Sequence, residues 1–163
     1  MKITNVSLAR VRATLPEAEM VRHESHSVPI DLYPELRERH RGHAPSPDLS
    51  AIYVEVLTDE AGLSGLYGPI QPAQAQVIRA SLRPFLGGRD PLAGELLLDQ
   101  MMRLDRHGRS GLFMTGVSPV DCALWDLRGK ALGQPVYRLL GGPTRPTVPA
   151  YASMLGHSVE PEA

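Results

Sequence analysis

Residues 117–142 read VSPVDCALWDLRGKALGQPVYRLLGG and hold the single Trp and the single Cys of the 163-residue chain. The pattern predicts a helix with both ends marked. Ser118 suits the N-cap, Pro119 the first helical position, and Asp121 the third residue of a capping box. Val117 and Cys122 have the spacing of a hydrophobic staple across that start. Val120, Ala123, Leu124, Leu127 and Ala131 form one apolar stripe, which Trp125 widens. Asp126 and Lys130 stand four apart, acid first, in the order that favours a helix. Gly129 leaves room for close packing, Gly133 suits a left-handed C-cap, and Pro135 blocks continuation.

Upstream, the periodicity changes. Ile3, Val6, Leu8, Val11 and Ala13 interleave with polar residues, imperfectly around Asn5, which predicts a strand closed by Pro16. Residues 51–57, AIYVEVL, predict a second strand. The turn TDEAG (58–62) and the return stretch LSGLYG (63–68) complete a three-stranded meander. A helix follows from Pro72, carrying Ala73, Val77, Ile78, Leu82, Phe85 and Leu86, with Pro84 placed to kink its last turn. Gly87-Gly88 stops it, Asp90-Pro91 opens a second helix with Leu96, Leu97, Met101 and Leu104, and HGRSG (107–111) connects to the third. After Gly142, TVPAYASML predicts a small, apolar strand of the kind buried on both faces in a parallel sheet. Nothing before it supplies parallel neighbours, so the sequence reads as cut off after this strand.

The composition is that of an ordinary globular protein, with 42% hydrophobic and 21% charged residues. A net charge of −1 gives no field for nucleic acid or an anionic membrane, although all seventeen basic residues except Lys2 and Lys130 are arginine. A single Cys permits no intrachain disulfide and fits a reducing compartment. MKITNVSLARVRATL is too interrupted by charge for a signal peptide, and no run reaches the length of a membrane span, so the expected location is the cytoplasm.

The pieces MKITNVSLARVR, VEVLTDEAGLSGL, GVSPVDCALWDLRGKALGQPVYRLLGG and VPAYAS together resemble the enolase superfamily, in its mandelate racemase and muconate lactonizing enzyme group. The resemblance covers almost the whole chain except residues 16–49. It implies an α+β fold: a three-stranded antiparallel meander followed by a helical bundle, plus the first strand of a truncated (β/α) barrel. The capping domain would span 1–134, with the meander in 1–68 and the helices in 71–133. Residues 135–163 would be linker and barrel start, with the first strand at about 147–154. The resemblance further implies an enzyme that abstracts a proton α to a carboxylate, with Mg²⁺ stabilising the ene-diolate. The metal ligands and bases would sit on later barrel strands, so no catalytic or metal-binding residue is assigned in this chain. The family's acidic residue after the hairpin glycine is missing from Ser64-Gly65-Leu66-Tyr67-Gly68-Pro69-Ile70. The implied substrate is a small carboxylate, with a sugar acid and a dehydratase reaction as the reading of the subgroup. A homo-oligomer is expected, without nucleic-acid or membrane partners.

The loop MVRHESHSVPIDLY (20–33) is the candidate substrate contact. In relatives this loop closes the barrel mouth. Arg22 offers a fork to a carboxylate, His23 and His26 can bond hydroxyls, and Tyr33 can pack on the ligand. The competing reading is a solvated, variable loop. His23-x-x-His26 and His40-x-x-His43, with Glu24, Glu35 and Glu38 nearby, have zinc-like spacing, but no rigid element or Cys supports them. Cys122 near a helix start suits a reactive thiol, yet the staple position argues for burial. Gly87-Gly88 and Gly141-Gly142 lack phosphate-loop spacing. Two alternatives from other classes stay open: a noncatalytic module that binds itself or a partner, and a functionless gene fragment.

Overall fold

The computed structural model describes residues 1–14, 16, 29–36 and 48–150. The chain divides into two units, Met1–Val11 with Ser50–Thr144, and Arg12–Leu49 with Arg145–Ala163.

Three strands form one sheet in the order β1-β2-β3: β1 (Ile3–Thr14), β2 (Asp48–Thr58) and β3 (Ser64–Ile70). Ile3 and Val6 are both buried, so the inward alternation of β1 slips at Asn5, where the sequence pattern also slips. In β2, Val54 and Val56 point into the core. β2 and β3 pair antiparallel, Val56 opposite Gly65 and Val54 opposite Tyr67, with an irregularity between Ile52 and Val54. The hairpin turn closes on Thr58, whose Oγ1 donates to Leu63 O at 2.8 Å, with Gly62 at a φ of 77°. It also anchors the N-terminus, because Lys2 N–H donates to Asp59 Oδ1 at 2.6 Å.

The helices are α1 (Pro72–Val77), a π-helical turn (Ile78–Leu82), α2 (Arg83–Leu86), α3 (Gly94–Arg103), α4 (Gly111–Ala131) and α5 (Val136–Leu139). Pro72 opens α1, and Gln74 Oε1 accepts from Gln71 N–H at 2.6 Å. Before Pro84 the winding widens: Arg83 N–H donates to Ile78 O, five residues back. Pro84 has no N–H to continue the ordinary ladder, and the π turn takes up the mismatch in place of a sharp kink.

Two expected helix starts are corrected. Asp90-Pro91 does not open α3; Asp90 Oδ1 accepts from Leu92 N–H at 2.9 Å in a turn, and the helix begins at Gly94. The third helix does not begin at Ser118 and Pro119. It begins at Gly111 after Ser110, and Pro119 lies inside it. Proline there removes the donor that would reach Thr115 O. Gln74 Nε2 of α1 fills the vacancy, donating to that carbonyl at 2.9 Å. Ser118, displaced from its capping role, turns its hydroxyl back to Met114 O at 3.0 Å.

α4 is the axis of the domain. Val117, Val120, Ala123, Leu124 and Leu127 are fully buried, and β3, α1 and α3 all pack against it. Two glycines set the spacing. A Cβ on Gly65 would stand 1.9 Å from Ala123 O, so β3 lies directly on the α4 backbone. A Cβ on Gly116 would meet Val77 at 2.6 Å, where α1 crosses. Gly133, with φ 61°, ends the helix as expected.

Of the strand expected at about 147–154, residues 148–150 and Thr147 carry no strand, and 151–154 lie outside the described residues.

Candidate functional site

The candidate substrate loop is only partly described. Arg22, His23 and His26 lie outside the described residues, as do Glu24, Glu38, His40 and His43. Tyr33 follows a short 3-10 helix (Pro29–Leu32) and is 56% exposed. Its carbonyl accepts from Leu36 N–H at 2.9 Å, which begins a helical turn at 34–36. In the same unit, Thr14 Oγ1 donates to Asp48 Oδ1 at 2.9 Å. Of the four residues expected to meet substrate, the structure therefore places one, on an exposed bend, with Leu32 beside it also exposed. Among the described residues no group of three or more His, Cys, Asp or Glu could hold a metal ion. Nor is any helix among them long and apolar enough to cross a membrane.

The motif helix is described in full, and its charged residues hold the fold. Asp126 Oδ2 accepts from Leu66 N–H of β3 at 2.8 Å and from Lys130 Nζ at 2.6 Å. Lys130 Nζ also donates to Ser64 O at 3.1 Å. One acid–base pair thus ties the start of β3 to α4, beyond the helix-internal role its spacing suggests. Gly129 lets the chain after the helix fold back: its carbonyl accepts from Gln134 N–H at 2.9 Å, and a Cβ there would lie 2.9 Å from Gln134 O.

Arg128 is the residue that pattern reading missed. It is 6% exposed, the one charged residue in the core among those described. Its Nε donates to Pro91 O at 2.9 Å, and its guanidinium lies 4.9 Å from the centre of the Trp125 ring. Gly94 makes the space, since a Cβ there would sit 2.5 Å from the guanidinium carbon. Nη2 has no acceptor among the described residues. Burial lowers the Arg128 pKa, while Asp121 and Glu95 pull it back up. Burial likewise pushes the Asp121 carboxyl up, against the pull of Arg128 and a hydrogen bond from Trp125. The available signal was positional: Asp121 and Arg128 are seven apart and flank Leu124, on the side of the helix that faces α3.

Cys122 does not sit at a helix start, because α4 begins at Gly111. Burial and the neighbouring Asp121 push its thiol pKa up, with a hydrogen bond from Tyr67 opposing. That environment favours the unreactive thiol. Trp125, half-buried beneath Arg128, serves packing.

The family described as mandelate racemase / muconate lactonizing enzyme, N-terminal domain, matches residues 49–141. Over 103 residues, 61% of this chain, the sequence is 39% identical to a D-galactonate dehydratase of Verminephrobacter eiseniae (strain EF01-2). It spans 27% of that relative's length. Among solved structures, a member of the enolase superfamily from Polaromonas sp. JS666 matches 98% of this chain and 38% of its own, with a TM-score of 0.66 and 28% identity. An enolase from Pantoea ananatis with bound D-gluconate and Mg matches 88% of this chain and 28% of its own, with a TM-score of 0.56 and 30% identity. The meander, the helices packed on α4 and the match over 49–141 agree: this chain belongs to the mandelate racemase and muconate lactonizing enzyme family, over its N-terminal domain.

Proposed function

We propose that this chain is the capping portion of a Mg²⁺-dependent enzyme that removes the proton α to a carboxylate, with a sugar acid as substrate and dehydration as the outcome. The observation that carries this reading is the 39% identity to a D-galactonate dehydratase over a stretch that is 27% of that protein. The Pantoea structure, with gluconate and magnesium bound, supports the same substrate class and cation.

In this reading the cap and the chemistry are separate. Mg²⁺, when bound, would supply positive charge to stabilise the charge that develops on the substrate carboxylate. The cap's part is to close over the substrate and exclude water, which strengthens every charge interaction beneath it. Residues 20–33 form the lid: Arg22 takes the carboxylate, His23 and His26 the hydroxyls, and Tyr33 the carbon skeleton. The exposed Tyr33 is in keeping with a side chain that waits for a surface.

The test compares two proteins with a panel of six-carbon sugar acids and Mg²⁺. The 163-residue chain alone gives no turnover. The product of a reading frame extended past Ala163 converts at least one acid to its 2-keto-3-deoxy derivative. Turnover by the pure 163-residue chain would refute the separation of cap and chemistry, and an extended protein inert toward every sugar acid would refute the substrate class.

A further inference from the structure

The helix α3 begins without a cap. Its N-cap residue is Ala93, which brings no side-chain acceptor to the first turn. Gly94 N–H donates to Leu92 O at 2.9 Å, and Leu97 N–H donates to Ala93 O at 2.9 Å. Between them, the N–H groups of Glu95 and Leu96 have no acceptor among the described residues. A ten-residue helix therefore presents two bare donors and the positive end of its dipole at one place.

Arg128 occupies the space in front of that end. A Cβ on Gly94, the first residue of α3, would stand 2.5 Å from both Cζ and Nη1 and 2.7 Å from Nη2. In a helix the Cα–Cβ bond leans toward the N-terminus, so the guanidinium lies on the open side of the first turn. Its Nε is taken by Pro91 O, whereas Nη2 is sealed from solvent and has no acceptor among the described residues. Nor does any carboxylate form an ion pair with Arg128 among the described residues. Asp121 and Glu95 act on it only through space.

A buried cation facing the positive end of a helix is unfavourable twice over: its charge is desolvated, and the dipole opposes it. One negative charge between the guanidinium and the first-turn amides relieves both. Helix N-termini and arginine side chains are the two groups on which proteins most readily hold anions. The enclosure of Nη2 restricts the ion to a small one that sheds its water easily. The nearby charges of Asp121 and Glu95 oppose a second negative unit, which selects a monovalent ion over phosphate or sulfate.

We propose that the start of α3 and Arg128 bind one chloride ion, held by Arg128 Nη2 and the N–H groups of Glu95 and Leu96. The ion fastens α3 to α4, and the site does not rest on the dehydratase reading.

Chlorine NMR line widths of the full 163-residue chain in chloride solution test it, with methanesulfonate holding the ionic strength constant. The protein broadens the chloride line, and bromide removes the excess broadening while sulfate at the same ionic strength does not. Ala93→Asp places a tethered carboxylate at a position where aspartate is a favoured cap, and it weakens chloride binding by about tenfold or more. Arg128→Met does the same. Arg109→Gln, on an exposed turn, leaves the broadening unchanged. Melting curves verify that the variants fold; should Arg128→Met not fold, Ala93→Asp decides. The proposal is overturned if the parent gives no excess broadening, if the broadening survives in Ala93→Asp, or if Arg109→Gln removes it equally. Displacement by sulfate as readily as by bromide would overturn the choice of a small monovalent ion.

Discussion

At the scale of single residues, the buried Arg128 and the half-buried Asp121 beside it make the clearest statement. Each is shifted in the direction that disfavours its charge, so desolvation outweighs their mutual attraction. Asp121 therefore holds a proton more tightly in the native state than in the unfolded chain. Its contribution to stability is greatest below the ordinary carboxylate range of about 4 and is lost as pH rises through the raised native value. Asp121→Asn cannot ionise, so the variant melts higher than the parent near neutral pH, and the gap shrinks below about pH 4. Thermal unfolding at pH 3.5, 5 and 7 checks this; a variant that melts lower at pH 7 would show that the attraction to Arg128 wins. The same cluster marks a limit of pattern reading. Arg128 reads as surface in a sequence window, because its burial depends on Gly94, 34 positions away, having no side chain.

At the scale of elements, α4 and α1 complete each other's hydrogen bonding. Pro119 leaves Thr115 O without its helical donor, and Gln74 supplies one while also capping α1. Gln74→Ala is expected to cost about 1 kcal/mol. In a Pro119→Ala background the backbone donor returns, and the same change costs less by about 0.5 kcal/mol. Urea denaturation of the four members of this double-mutant cycle measures the coupling, and strict additivity would refute it. This exchange explains where the sequence was legible and where it was not. The meander, the helix order and the Gly133 stop were readable because local spacing and turn chemistry determine them. The start of α4 was not: Ser118-Pro119 has the local form of a helix beginning, and only a side chain 41 residues upstream of Thr115 makes it an interior. The β3 segment was readable as a strand, but not its contact with Asp126, which no periodicity encodes. In the stretch 20–33, sequence could nominate residues by chemistry alone, and Tyr33 is the one of the four that falls among the described residues.

At the scale of the molecule, several large apolar side chains among the described residues face outward. Leu96 and Leu112 are 56% and 59% exposed, and Leu140 is 66% exposed. Exposed leucines are apolar surface on which a second chain can pack. The 163-residue chain is expected to self-associate, with a light-scattering mass above that of one chain and rising with concentration. Leu96→Lys with Leu112→Lys should move that mass toward the monomer; a parent that is monomeric throughout would rule the association out. The seating of β3 on α4 through Gly65 has a further consequence, for biosynthesis. The two partners are some 60 positions apart, so the first three strands emerge from the ribosome well before the surface that receives them. During that interval the hairpin has an apolar side with nothing to bury it, and such a species is prone to aggregate. The sheet's apolar side can be covered only once 111–131 has emerged and folded.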